Sequence, residues 1–323
     1  MNKTVLVRAA MLGLTLSGAI ATTALAADVR VAVTAIVDHP ALDAARKGVA
    51  DELQDAGYVV GKNLRLEYQS AQGNVATAAQ IARKFAGDRP DVIVAVSTPS
   101  AQTMLAATRE IPIVFSAVTD PVAAKLVKSW QATGGNVTGV SDLPSIDKHL
   151  AALRQAMPAA RRIGVVYSPG EANSVAAIAE LKKLAQPAGM TVVEAAAPRT
   201  VDVASAAQSL VGKVDVFYEP TDNNVTSAFE SLAKVADQGR IPLVSADPSV
   251  ATRGAAIGIG TNYYDLGRQT GKLVVRILKG EAPGSIPSQL STTLETHIGK
   301  GAAQRQGWTV PEAFLKAATK VVD

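Results

Sequence analysis

The stretch Asp91 to Leu105, DVIVAVSTPSAQTML, places a cluster of hydroxyls where a strand runs into a helix. Val92-Ile93-Val94-Ala95-Val96 is short, apolar and β-branched, the pattern of a strand buried on both faces in a parallel sheet. Ser97-Thr98-Pro99-Ser100 ends it, and a helix is expected from near Ser100, with Ser100 as its N-cap. A helix start leaves backbone N–H groups unpaired at the positive end of the dipole. The turn through Thr98, Ser100 and Ala101 could therefore clamp a carboxylate or a phosphate. The same hydroxyls would equally serve as plain helix caps.

Polar residues recur at the ends of other β-branched runs: Asp38-His39, Thr119-Asp120, Ser168 to Ser174, Thr221-Asp222-Asn223 and Asp247. Asp38 or Asp120 with His39 could supply an acid and a base, so an exported α/β hydrolase is the alternative function. No nucleophile, base and orienting group are signalled together, however, which ranks it below binding. His39, His149 and His297 form no H-E-x-x-H or i, i+4 pair, and no metal site is expected. Gly258-Ile259-Gly260 lacks the rest of a dinucleotide fingerprint, and no cofactor is expected either.

The elements that must position these residues alternate strand and helix, twice over. Strands are expected at Val29–Val37, Leu64–Tyr68, the 91–96 run and Ile111–Ser116, with helices at Pro40–Ala56 and about 74–85 between them. After a crossover at Asp142 to Ser145 the alternation restarts. Strands are expected at Arg162–Tyr167, Thr191–Ala195, Val214–Tyr218, Ile241–Ala246 and Ala255–Gly260, and single helices at Glu171–Ala185, Val201–Leu210 and Asn223–Gln238. An amphipathic helix, Tyr263–Lys279, precedes a last strand at about 288–294 and a tail. Ligands of open parallel sheets sit beyond the carboxyl ends of the strands, so the polar loops of both halves should face one cleft.

The chain opens with Asn2-Lys3 and Arg8, then an apolar run to Ala21 and an A-x-A ending at Ala26, the pattern of a secretory signal peptide over residues 1–26. Its removal leaves 297 of the 323 residues (323 less 26) and lowers the formal charge from +4 to +2, since Lys3 and Arg8 go with it. The chain has no Cys, which excludes disulfides, thiol catalysis and a lipidated Cys. Basic residues are scattered among acidic ones and aromatic residues make up only 4%, so no nucleic-acid partner is expected. An exported protein in a periplasm-like space is the expectation.

The chain resembles the substrate-binding proteins of ABC importers with the type I periplasmic-binding fold, in the branch that includes tryptophan- and aromatic-amino-acid-binding members. The resemblance is carried by Ile36 to Asp43, Ser97 to Gln102, Phe115 to Pro121 and Asn136 to Ser141 in the first half. Tyr167 to Ser174, Pro220 to Asn223 and Tyr263 to Thr270 carry it in the second. It implies an α/β fold of two Rossmann-like lobes with parallel sheets joined by hinge crossovers. Lobe 1 would comprise residues 27–141 and 263–285, and lobe 2 residues 142–262 and 286–323, with hinges near Ser141-Asp142, Thr261-Asn262 and Pro283 to Pro287.

The same resemblance implies a small ligand, an amino acid with an apolar or aromatic side chain, handed to an ABC permease and its ATPase by a monomer that is not an enzyme. Thr98, Ser100 and Ala101 would hold the carboxylate, with Thr119 and the backbone at Ile36 lining the same lobe. Asn173, Ser174 and Asn223 would add contacts from the other lobe, and Asp222 or Asp247 would accept from the ammonium. Asp222 could instead cap the following helix, and Asp247 could be a turn residue before Pro248.

Overall fold

β-Branched runs separated by amphipathic stretches fold here into two stacks of helix, sheet and helix. The computed structural model describes residues 28–323, so the expected signal peptide lies outside the described residues. The first five strands are β1 (Val29–Ala35), β2 (Leu64–Ser70), β3 (Val92–Val96), β4 (Ile113–Ser116) and β5 (Val137–Ser141). The second run comprises β6 (Arg162–Tyr167), β7 (Thr191–Ala196), β8 (Val216–Glu219), β9 (Leu243–Ser245) and β10 (Ile257–Thr261). Near the C-terminus follow β11 (Gln289–Leu290), β12 (Leu294–Gly299) and β13 (Lys320–Val322).

The first sheet has the order β11-β5-β4-β3-β1-β2 and the second β13-β12-β10-β9-β8-β6-β7. Pairing is parallel throughout except for β10 against β12. All five residues of β3 are buried, as a central parallel strand covered on both faces requires. One face of the first sheet packs on the helices Pro40–Asp55 and Tyr263–Leu278, which share a core with Val31, Val94 and Val114. The approach of these two helices is close enough that a Cβ on Gly267 would overlap the Ala45 carbonyl oxygen.

Several regions differ from the sequence expectation, among them Val137–Ser141, which forms the unexpected strand β5. The expected last strand at 288–294 is two strands in different sheets: β11 pairs with Val140 and Ser141, whereas β12 pairs with β10. Residues 286–290 therefore join the first sheet, not the second, and the third crossing lies between Leu290 and Leu294. Pro283 to Pro287 is held against the first sheet by Thr138 Oγ1, which donates to the Ile286 carbonyl at 3.0 Å, and so does not form the crossing. The expected helix 223–238 is broken at Ala228 into Asn223–Ser227 and Phe229–Gly239, which turns Phe229 fully into the core. Finally, the expected crossover after Ser145 leads into an unforeseen helix, Ile146–Ala156, and the tail folds as two short helices and β13.

Candidate functional site

The carboxyl ends of the two sheets face each other and enclose a cavity. The first sheet contributes His39, Leu42, Thr98, Ala117 and Thr119, and the second Asn173, Thr221, Asp222, Asn223, Thr226 and Asp247. Asp142 and Tyr263, at the first two crossings, complete its wall. The lobes touch directly across it, with Thr119 Oγ1 and Thr221 Oγ1 hydrogen-bonded at 3.0 Å. The space between atoms amounts to about 350 Å³, but only about 20 Å³ admits the centre of a water molecule. An aromatic side chain would enter only if these walls parted.

On the first wall the helix Thr98–Ala107 begins two residues earlier than expected, so Ser97 is its N-cap and Ser100 lies inside its first turn. Ser97 has φ 81° and ψ 159°, a backbone region almost reserved for glycine, and Ala117 at the end of β4 also has a positive φ of 54°. Strain of this kind, of order 1–3 kcal/mol per residue, gathers where a site dictates the backbone. Thr98 Oγ1, Ser100 Oγ and Ser97 Oγ are all buried without a hydrogen-bond partner. The hydroxyls are thus not acting as caps, while the first turn leaves the N–H groups of Thr98 and Ser100 without an intrahelical acceptor. Ala101 N–H donates to the Ser97 carbonyl at 3.1 Å and its side chain belongs to the core. Ile36 is also a core residue, and its carbonyl accepts from Gly73 N–H at 2.6 Å. Neither Ala101 nor Ile36 lines the cavity. His39 does, with Nδ1 unpartnered; burial, aided by the Arg253 charge, lowers its pKa to about 3 and keeps the ring neutral.

The second wall separates the two Asp candidates. Asp222 is the N-cap of Asn223–Ser227, and its oxygens accept from Val225 N–H at 2.9 Å, Ser168 N–H at 2.6 Å and the Ser174 hydroxyl at 2.7 Å. With both oxygens engaged, Asp222 organises the loop, and Ser174 is spent on that task outside the cavity lining. Asn223 lines the cavity, yet its backbone N–H and its amide both donate to the Glu171 carboxylate. Burial and the neighbouring Asp222 raise the Glu171 pKa. Asn173 donates to the Thr221 carbonyl at 2.6 Å, which leaves its Oδ1 buried and unpartnered.

Asp247 also caps a turn, accepting from Ser249 N–H at 2.8 Å through Oδ1, but its Oδ2 is buried with no partner. Behind it Glu219 accepts from the Thr226 and Ser245 hydroxyls, and burial raises its pKa to about 8, so it is protonated at neutral pH. Sequence reasoning misses Asp142 as a site residue, because its position after β5 reads only as a hinge. Asp142 accepts from the Tyr263 hydroxyl at 2.8 Å through Oδ2, while Oδ1 is buried and free of partners. Asp142 and Tyr263 follow β5 and β10, each paired in parallel with a neighbour, and that placement is the signal that could have put them in the cleft. The hydrolase alternative has no support here. Asp38 is bound by Tyr68 and Gln72, Asp120 caps Val122 and Ala123, and neither lines the cavity.

Residues 30–322 match the model of the ABC transporter substrate binding protein family. The chain belongs to that family. It is thus a substrate-binding protein for ABC transport rather than an enzyme, and members of the family hand small molecules to ABC permeases. A tyrosine-binding protein of Clostridioides difficile (strain R20291) is 41% identical over 268 residues, 83% of this chain and 77% of that protein. A domain from Streptococcus pneumonia crystallised with L-Trp is 32% identical and superposes with a TM-score of 0.88 over 92% of this chain and 100% of that one. A ligand-free, open substrate binding protein from Clostridium difficile is 39% identical, yet its TM-score is only 0.69 over 91% of this chain and 99% of that one. The greater likeness to the L-Trp complex, despite lower identity, agrees with the direct Thr119–Thr221 contact: the lobes here are closed.

Proposed function

We propose that this substrate-binding protein captures a free amino acid with an apolar or aromatic side chain, as a zwitterion, in the cavity between its lobes. The observation that carries the reading is the set of buried polar atoms left without partners on opposite walls, Thr98 Oγ1 on one and Asn173 Oδ1 and Asp247 Oδ2 on the other; Ser100 Oγ, also unpartnered, lies in the same helical turn as Thr98 but outside the cavity lining. Native proteins rarely bury such atoms unsatisfied, because each costs roughly 1–3 kcal/mol, and a ligand that bonds them removes the cost. Hydroxyls and the N-terminus of Thr98–Ala107 suit a carboxylate; Asp247 and Asn173 offer acceptors to an ammonium. Leu42, Ala117 and the Tyr263 ring supply apolar surface for a side chain. The tyrosine-binding relative and the L-Trp complex support the same ligand class.

The setting is a periplasm-like compartment reached through the signal peptide, where the protein acts as a monomer. The three crossings near Ser141-Asp142, Thr261-Asn262 and Leu290 to Leu294 serve as the hinge. Native mass spectrometry of protein purified without added ligand tests the class. A mass increment of tyrosine or tryptophan is expected; a bound sugar or metal chelate would overturn the reading.

A further inference from the structure

We propose that a groove between the helix Thr98–Ala107 and the chain joining β4 to β5 binds an amphipathic anion, a carboxylate or phosphate attached to an apolar chain. It lies on the face of the first sheet opposite the helices Pro40–Asp55 and Tyr263–Leu278. The groove shares no lining residue with the cavity between the lobes, so the site is independent of the amino-acid reading. Parallel neighbours such as β4 and β5 are usually joined through a helix. Here residues 117–136 make the connection without a regular helix or strand, and an irregular connection of that length in a compact lobe commonly carries function. The groove beside it offers about 610 Å³ to the centres of water-sized molecules, against about 20 Å³ in the closed cavity, so a ligand enters without the lobes moving.

Its floor is apolar: Leu126, Val127 and Val137 belong to the core of that face, with Leu105 and Val122 packed against them. Its rim is cationic. Arg109, Lys125 and Lys128 are exposed, and none of them forms an ion pair among the described residues. No carboxylate lines the groove: Glu110, next to Arg109, is engaged by Arg89 at 2.8 Å, and Asp120 accepts from Val122 and Ala123 N–H. The walls are fixed in advance. The Gln102 amide donates to the Ala124 carbonyl at 3.1 Å, and the Pro121 carbonyl accepts from Leu126 and Val127 N–H at 2.9 and 3.2 Å. These bonds hold Lys125 at φ 59°, a region that favours glycine and that non-glycine residues occupy chiefly where a site dictates the backbone. Opposite, Gly134 N–H donates to the Gly284 carbonyl and Ser288 N–H to the Trp130 carbonyl, both at 3.0 Å. Exposed cations alone hold a bare anion weakly, because water and salt screen them. An apolar chain on the floor adds burial in proportion to its area, and a preformed groove spares the cost of ordering.

The test is titration calorimetry of the whole protein with decanoate, decyl phosphate and decyltrimethylammonium, each below its micellar concentration. The parent should bind at least one of the two anions 1:1, more weakly as salt rises, and should not bind the cation. Lys125→Gln combined with Lys128→Gln should weaken that binding about tenfold or more, as the loss of two charge-assisted contacts implies, whereas the pair Lys125→Arg and Lys128→Arg should bind like the parent. All four substitutions are at exposed side chains, and circular dichroism checks the fold. Failure of both anions to bind, equal binding of the cation, or an unchanged affinity in the glutamine pair would overturn the site. Sedimentation with phosphatidylglycerol vesicles distinguishes the source of the anion. Co-sedimentation that the glutamine pair loses assigns the groove to a membrane lipid, and its absence beside binding of the soluble anions assigns it to a free amphiphile. Adherence to vesicles without binding of either soluble anion would be surface adsorption alone and would overturn the groove.

Discussion

Replacing Thr98 by Val isolates the anion-binding wall, because Val matches Thr in shape and removes only the hydroxyl. In the closed form Thr98 Oγ1 is buried and makes no hydrogen bond within the protein, so its loss breaks none. Removing an unsatisfied buried hydroxyl relieves a cost of roughly 1–3 kcal/mol in the closed form and close to nothing where water reaches it. Stability without ligand should therefore be unchanged or higher. Binding should behave oppositely: a hydroxyl donating to a carboxylate contributes roughly 1.5–3 kcal/mol, equivalent to about a 12- to 160-fold weaker Kd for L-tyrosine. Urea denaturation of the stripped protein gives the first quantity and titration calorimetry the second. A variant that binds tyrosine like the parent would refute the placement of the carboxylate. A variant that loses more than about 1 kcal/mol without ligand would show that Thr98 holds the fold instead.

Other perturbations test the backbone and the buried acids. Ser97→Gly should gain roughly 0–2.5 kcal/mol in urea denaturation, the balance of about 1–3 kcal/mol of strain at φ 81° against about 0.4–1 kcal/mol of added chain entropy; a clear loss would mean the turn is unstrained. Gly267→Ala, which drives a Cβ into the Ala45 carbonyl, should cost about 1–3 kcal/mol or more, whereas Gly87→Ala, open on all sides in its helix, should be neutral or gain up to about 1 kcal/mol. Equal effects in thermal melts would contradict the close helix packing. Glu219, with its pKa raised from 4.5 to about 8, binds a proton more tightly folded than unfolded, so its contribution is full below about pH 4.5 and is lost as pH rises towards 8. The slope is about 1.4 kcal/mol per pH unit at most, and Glu219→Gln should flatten the decline of Tm between pH 5 and 8. A parallel decline in both proteins would show that Glu219 ionises freely in the fold.

Much of the fold was legible because its strands are short β-branched runs and its helices carry continuous apolar stripes, signals that depend only on neighbouring residues. The crossings were less so. Gln289 and Leu290 belong to the first sheet and Leu294 to the second, a division set by long-range pairing with β5 and β10 that no local pattern encodes. The candidate site was readable as far as strand-end polar loops go: Thr98, Thr119, Asn173, Asn223 and Asp247 do reach the cavity, and so does Asp222. The sequence could not tell an engaged oxygen from a free one. Asp222 and Asp247 look alike as residues preceding helical turns, and only the partners Ser168, Ser174 and Val225 reveal that both oxygens of the first are occupied. Ile36 and Ala101 adjoin the polar strand-end turns, but both side chains lie in the core and the Ile36 carbonyl is taken by Gly73 N–H.

Titration calorimetry of the stripped protein with L-tyrosine, L-tryptophan and the carboxamides of both tests the central claim most directly. A zwitterion held by its two ends predicts a 1:1 complex with at least one of the amino acids and a large loss of affinity for its carboxamide, which cannot present an anion to Thr98 and Ser100. Absence of heat with every amino acid, or equal binding of acid and amide, would contradict it.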